Sequence, residues 1–277
     1  MVKCLVSFTM ILLFSGVVSG ENAIKRFARF EYQGSTFFGL VVNDIEIQKI
    51  EGDIFSDYRI TEEIIRIKDV RILPPVTPSK IIAIGLNYRS HSGMTSTGEP
   101  GLFSKLPSSL AGQDDPIWIY ADSENLHYEG EMVLVIGKEV RNISESKAEE
   151  VIFGVTAGND VSERGWQLSD LQWIRAKGAD SFSPVGPWIV TGLNYNDLKI
   201  QTRVNGFVRQ NERTKNLIHS VGRIISYISH YFTLMPGDLI FTGTPGSTQA
   251  MKNGDIVEVE IEGVGILRNK VMKKPVQ

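Results

Sequence analysis

The 277 residues are 42% hydrophobic and 22% charged, and the formal net charge is −3. This balance belongs to globular proteins and excludes disordered, collagen-like and multi-spanning membrane chains. The mild acidity gives no electrostatic reason to expect nucleic acid or an anionic membrane surface as a partner.

The chain opens with MVKCLVSFTMILLFSGVVSG: a lysine near the start, an apolar run from Leu5 to Val18, and small residues at Val18-Ser19-Gly20. That is the three-part pattern of a secretory signal peptide. The run is interrupted by Ser7, Thr9 and Ser15 and falls short of the roughly 20 apolar residues a bilayer span requires. The expectation is export, periplasmic or secreted, with cleavage after Gly20 and no stable membrane insertion; without a working signal the location is cytoplasmic. The single cysteine, Cys4, lies in this segment. It cannot pair within the chain, so neither a disulfide framework nor a thiolate metal site holds the fold.

Residues 21–77 are expected to form a small β-rich N-terminal domain and its linker. Short alternating runs such as RFARFEYQGSTFFGLVV surround a turn at Gly34, and ILPPVTPSK, with Pro74, Pro75 and Pro78, disfavours both helix and sheet. A second domain, 78–277, reads mostly as strands: KIIAIGLN, MVLVIG, VIFGVTAG, PWIVTG, KIQTRVNG, DLIFTGTP and DIVEVEIEGVGIL. In the last, Val257, Val259 and Ile261 alternate with Glu258, Glu260 and Glu262, giving one buried and one wet face. Two helices are predicted, over VSERGWQLSDLQWI and NLIHSVGRIISYIS, the second with Leu217, Val221, Ile224, Ile225 and Ile228 on one stripe. Helices this few cannot cross over between many parallel strands, so the fold class is mixed α+β, mainly β.

In HYEGEMVLVI, Glu129 and Glu131 stand two apart at the mouth of an apolar strand, on the same side as Val133 and Val135. Buried there, two carboxylates require a cation, either a basic side chain or a metal. The alternative is a strand that starts only at Met132, leaving both acids solvated. A third acid, Asp160, ends the strand-like GVTAGND; with Glu163 it also matches a helix-capping box. Three carboxylates suit Mg²⁺, Mn²⁺ or Ca²⁺, and the lack of cysteine and of paired histidines disfavours zinc. The TGTPG loop lacks the Lys-Ser/Thr ending of a phosphate-binding loop, which argues against nucleotides.

From about Lys80 to Val271 the chain resembles the fumarylacetoacetate hydrolase family. The segments that carry this are, in order, KIIAIGLNYRSH, LFSKLPSSL, YEGEMVLVIGKEVR, GVTAGNDVSERGWQ, KGADSFSPVGPWIV, VNGFVRQ, LMPGDLIFTGTP and NGDIVEVEIEGVGIL. The resemblance implies a β-sheet roll, a homodimer or larger assembly, and a metal held by Glu129, Glu131 and Asp160. It implies a small 2-oxo or 1,3-dicarbonyl acid as substrate, with carbon-carbon hydrolysis, decarboxylation or hydroxymuconate-type isomerisation through a metal-stabilised enolate.

By the same resemblance, Lys177 of KGADSF would face the developing oxyanion, its alternative being a surface lysine. Arg164 and Gln167 would orient substrate, although an Arg164–Asp160 ion pair would explain the arginine equally well. Thr244 would offer a hydroxyl and an amide, or Gly243 to Gly246 is simply a tight turn. Asn87, Tyr88 and Lys105 would be further substrate contacts. His91 is the candidate general base.

In hydrolytic and decarboxylating relatives an acid one helical turn after this histidine pairs with it; here that position is Met94. Glu99 would substitute only if the loop folds back, and Gly93 and Gly98 disfavour a preformed lid helix. Gly165 also stands where many relatives carry an acid. These departures tilt the expectation toward isomerase or lyase chemistry. A reading from another class is an exported, metal-dependent binding protein of the same fold that has lost turnover; it would have no use for a base at His91.

Overall fold

The computed structural model describes residues 23–93 and 98–275, so the signal-like residues 1–20, Cys4 and Met94 lie outside the described residues. Among these, twelve strands join in one mixed sheet. Its path runs Tyr58–Arg66, Glu46–Gly52, Ser35–Asn43, Lys25–Tyr32, Ser183–Thr191, Ile152–Asn159, Gly130–Ile136, Leu239–Phe241, Ile81–Gly85 and Gly101–Lys105. Arg71–Ile72 and Leu110–Ala111 pair off this path. A second sheet of five strands runs Phe207–Arg213, Lys199–Val204, Ile256–Ile261, Gly265–Lys273 and Ile117–Ile119.

The N-terminal strands are stitched onto the large sheet by hydrogen bonds. Lys25–Tyr32 pairs antiparallel with Ser183–Thr191, Phe27 opposite Ile189. Phe27, Ile50 and Ile54 also share a core with Val133, Val135, Leu239 and Phe241. On the other face of the same central strand, Met132, Leu134 and Ile136 pack with Ile200, Val259 and Ile261 of the second sheet. Burial on both faces is why this strand reads as an unbroken apolar run instead of an alternating one.

The helix Val221–Tyr231 caps this second core with Val221, Ile224, Ile225 and Ile228. Each contributes about 1.5–3 kcal/mol relative to exposure. It starts later than the predicted segment because Thr214–Asn216 turns as a 3-10 helix and Ser220 accepts from the Arg223 N–H as N-cap. Leu217 packs against the core from outside it. Of the other predicted helix only Arg164–Ser169 forms, and a separate short helix, Ile174–Gly178, begins where the predicted one was to end. The break falls at Asp170, in extended backbone, whose carboxylate is taken by the Arg175 guanidinium at 2.7 and 2.9 Å. No helix among the described residues is long and apolar enough to cross a membrane.

Candidate metal centre and active site

A hairpin register brings the three acids together. Gly130 stands opposite Asn159 and Glu131 opposite Gly158, which sets Asp160 beside Glu129. Asp160 N–H donates to the Glu129 carbonyl and Glu129 N–H to Asn159 Oδ1, each at 2.8 Å. One carboxylate oxygen from each of Glu129, Glu131 and Asp160 lies within 4.8 Å of the others. The strand starts at Gly130, and the three acids are only 4%, 2% and 1% exposed, so the solvated alternative does not hold. Gly130 is required here: a Cβ would stand 2.0 Å from Thr202 Oγ1 of the second sheet.

The cations are unequally shared. Lys177, from the helix Ile174–Gly178, donates to Glu129 Oε2 at 2.6 Å and to Asp160 Oδ2 at 2.7 Å. Lys105 donates to Asp160 Oδ1 at 2.5 Å and to the Lys177 carbonyl. Arg164 Nη2 donates to Glu129 Oε1 and Nη1 to Gln167 Oε1, the latter at 2.7 Å. Burial works to raise the Glu129 pKa, yet Lys177 and Arg164 reverse this and hold it well below the usual carboxylate range. Burial likewise opposes the Lys177 ammonium, but Asp160 and Glu129 outweigh it and raise its pKa. At Lys105 burial, joined by the neighbouring Lys177 ammonium, outweighs Asp160 and Glu129 and lowers the pKa.

Glu131 is the exception. Among the described residues it forms no ion pair, and its Oε2 accepts one hydrogen bond, from Gly243 N–H at 2.6 Å. Burial, then Asp160 and Glu129, push its pKa well above the ordinary carboxylate value. A buried carboxylate without a cation, beside two others offering oxygens to the same point, fits a hard divalent ion such as Mg²⁺ or Mn²⁺.

The rim is built on the loop after Leu239–Phe241. Thr242 Oγ1 donates to the Met132 carbonyl at 2.8 Å, and Gly243 (φ 106°) brings its N–H onto Glu131. A Cβ at Gly243 would stand 2.7 Å from that of Asn87. Gln210, which sequence reading missed, clamps this loop: it accepts from Gly130 N–H at 3.0 Å and donates to Thr244 Oγ1 at 2.8 Å and to the Pro245 carbonyl at 2.5 Å. His91 Nδ1 lies 2.6 Å from the Gly246 carbonyl and Nε2 3.6 Å from Glu129 Oε1. A carbonyl can only accept, so Nδ1 carries a proton, and it is Nε2 that exchanges the second one. His91, the three acids, Arg164, Gln167, Lys177 and Thr244 line one cavity of about 60 Å³. Its apolar wall includes Phe103 and Trp173, in edge contact at 5.5 Å, with the Lys177 ammonium 4.8 Å from the Phe103 ring centre. Two larger hollows, of about 890 and 770 Å³, contain none of the three acids, so chemistry and not size identifies the site.

Several expected contacts have other jobs. Asn87 is fully buried and spends its amide on Thr242 O, His219 O and His219 N, joining two loops. Lys105 supports Asp160 instead of facing substrate. Tyr88 is buried with a hydroxyl that has no hydrogen-bond partner among the described residues, and it lines the 770 Å³ hollow. Burial, then Glu131 and Glu212, raise its pKa. The Thr244 hydroxyl is already engaged, donating to Gly130 O at 2.9 Å and accepting from Gln210, although the residue does line the cavity. Glu99 is bound by Arg223 and is no partner of His91. Arg164 pairs with Glu129, not Asp160, and the helix cap is Glu163, whose carboxylate accepts Trp166 N–H at 2.6 Å.

Residues 80–272 match the family described as fumarylacetoacetate (FAA) hydrolase C-terminal, and residues 25–75 match Rv2993c-like, N-terminal. The chain is 44% identical over 212 residues, 74% of its length and 80% of the other's, to protein Rv2993c of Mycobacterium tuberculosis. It is 37% identical over 227 residues, 76% and 71% of the two lengths, to the mitochondrial oxaloacetate tautomerase fahd2 of Xenopus laevis. The structure of 2-hydroxyhepta-2,4-diene-1,7-dioate isomerase from Mycobacterium marinum matches with a TM-score of 0.86 at 38% identity, covering 91% of this chain and 100% of that one. Maleylpyruvate hydrolase from Sphingobium sp. SYK-6, in complex with manganese(II) and pyruvate, matches at 0.77 and 28% identity, covering 90% and 100%. These relatives include a tautomerase, an isomerase and a hydrolase, and the chain belongs to the fumarylacetoacetate hydrolase family.

Proposed function

We propose that this chain is a divalent-metal-dependent enzyme that interconverts the enol and keto forms of a small 2-oxo or 1,3-dicarbonyl acid. The observation that carries this reading is the setting of His91. Its Nδ1–H is held by the Gly246 carbonyl, which fixes the ring so that Nε2 faces the cavity, 3.6 Å from Glu129 Oε1. A base held in this way, with its Nε2 turned into the cavity, can take a proton from a carbon acid and return it, which is all that keto–enol exchange requires.

Glu129, Glu131 and Asp160 would hold Mg²⁺ or Mn²⁺. When bound, the ion supplies Lewis acidity to the oxygens of an oxo acid and so lowers the cost of forming an enolate. Nε2 of His91 takes the proton from the enol oxygen or the adjacent carbon and gives it back at the other position. Lys177 places a full positive charge beside the same acids, where it stabilises the developing oxyanion. The Arg164 bond to Gln167 Oε1 leaves the Gln167 amide donors, and one Nη1 hydrogen, for a substrate carboxylate. Phe103 and Trp173 shield the reacting atoms from water.

The test is to follow oxaloacetate, and separately a hydroxymuconate-type dienoate, by ultraviolet absorbance and proton NMR with Mg²⁺ present. The expected result is faster relaxation to the keto–enol equilibrium with no cleavage product. His91→Asn should lower kcat on the order of 10²–10⁴-fold. Stoichiometric appearance of carbon-carbon cleavage products, or no metal-dependent acceleration at all, would contradict the proposal.

A further inference from the structure

Arg164 is held by a closed ring of hydrogen bonds that runs through three residues outside the cavity, Asn125, His127 and Thr248. Its backbone N–H donates to the Asn125 carbonyl at 2.9 Å. Its Nη2 donates to Thr248 Oγ1 at 3.2 Å as well as to Glu129. Thr248 Oγ1 lies 2.8 Å from His127 Nδ1, and His127 Nε2 lies 2.9 Å from Asn125 Oδ1. A guanidinium only donates, so the Thr248 oxygen accepts from it; the Asn125 side-chain oxygen only accepts, so Nε2 carries a proton, and in the neutral imidazole Nδ1 then accepts the Thr248 proton. With the imidazole neutral, every donor and acceptor in the ring has one assignment.

The ring is anchored in the backbone. Leu126–His127 pairs with Ser162–Glu163, immediately before Arg164. On its other side His127 bridges Ala250, and Met251 N–H donates to the Leu126 carbonyl at 2.7 Å. Thr248 thus sits on the same loop whose Gly246 carbonyl orients His91 and whose Gly246 N–H bonds Ser90 Oγ at 3.1 Å.

We infer that Thr248 and His127 are positioning residues that fix the Arg164 guanidinium between Glu129 and Gln167, so that it meets the carboxylate of an oxo-acid substrate in one orientation. Its significance for substrate rests on the function proposed above; the placement of Arg164 does not. With two Nη2 hydrogens spent on Glu129 and Thr248, the guanidinium cannot rotate about its own axis without losing one of them.

The experiment uses the full metal-loaded chain and the variants Thr248→Val, Thr248→Ser and His127→Ala. Crystal structures read the Arg164 contacts directly, and steady-state kinetics with oxaloacetate read their consequence. In Thr248→Val, which keeps shape and removes the hydroxyl, Arg164 should leave its paired position and KM should rise about tenfold, with kcat changing less. Thr248→Ser should restore both readouts, and His127→Ala should reproduce the Val variant in part. An Arg164 that stays on Glu129 and Gln167 in both Thr248→Val and His127→Ala overturns the inference, whether or not the chain turns substrate over. So does a Ser variant that behaves like the Val variant, because then the methyl group and not the hydroxyl matters. A wild type without turnover would remove the proposed function and leave the crystallographic comparison to decide the positioning.

Discussion

Glu129 and Glu131 lie two residues apart on one strand face and are equally buried, yet the protein treats them oppositely. The Glu129 side is crowded with cations: Arg164 on one oxygen, Lys177 on the other, with Lys105 supporting Asp160 behind them. The Glu131 side offers one backbone N–H from Gly243. The first arrangement lets a cluster of acids fold before any metal arrives, because burying three like charges together in a dry interior without counter-charges otherwise costs several kcal/mol. The second leaves one carboxylate for which an external divalent ion is the natural partner. On the proposed function, stability and metal affinity thus fall to different acids of one site.

Removing Lys177 attacks the crowded side and should have the largest effect. Lys177→Ala leaves Glu129 and Asp160 without their shared ammonium, and urea unfolding of the metal-free protein should show a loss of about 3–5 kcal/mol. Glu131→Gln attacks the bare side. Wild type should gain about 2.7 kcal/mol when Mg²⁺ is raised to a hundred times its Kd, and the Gln variant should lose most of that gain at the same Mg²⁺ concentration. Without metal the variant should be no less stable than wild type, since the ionised carboxylate it replaces is disfavoured by burial and by Asp160 and Glu129. Gln210→Ala loosens the clamp between the two sides and strands Gly130 N–H and the Pro245 carbonyl; thermal unfolding should report a cost of about 1–3 kcal/mol. Smallest of all, Glu99→Gln disturbs an exposed pair with Arg223 and should change stability by about 0–1 kcal/mol while leaving Mg²⁺ affinity unaltered. A larger loss of metal affinity there would return Glu99 to the site.

The acids were legible in the sequence because a strand makes period-two spacing meaningful: Glu129 and Glu131 share a face wherever the strand goes, and Asp160 ends the neighbouring run. The stripe of Val221, Ile224, Ile225 and Ile228 was legible for the corresponding helical reason. Gln210, Thr248 and His127 were not, since their roles depend on where the loop after Phe241 crosses other strands, a long-range register that no local pattern encodes. Asn87 and Lys105 misled in the opposite sense. Each lies in a segment matching the family, but a polar side chain within a motif can serve the scaffold as readily as the substrate, and only the spent hydrogen bonds distinguish the two. The partner of His91 Nδ1 was illegible for a related reason: it is a main-chain carbonyl, which every residue possesses and no side chain announces.

The most direct test of the central claim, that Glu129, Glu131 and Asp160 form a chelate site for a metal and an oxo acid, is isothermal titration of oxalate, a mimic of a pyruvate enolate. It should be titrated into metal-free protein, Mg²⁺-loaded protein and Mg²⁺-loaded Glu131→Gln. Binding is expected in the loaded wild type alone. Oxalate that binds equally well without metal, or that binds the loaded variant with wild-type affinity, would show that the three acids serve the fold and not the chemistry.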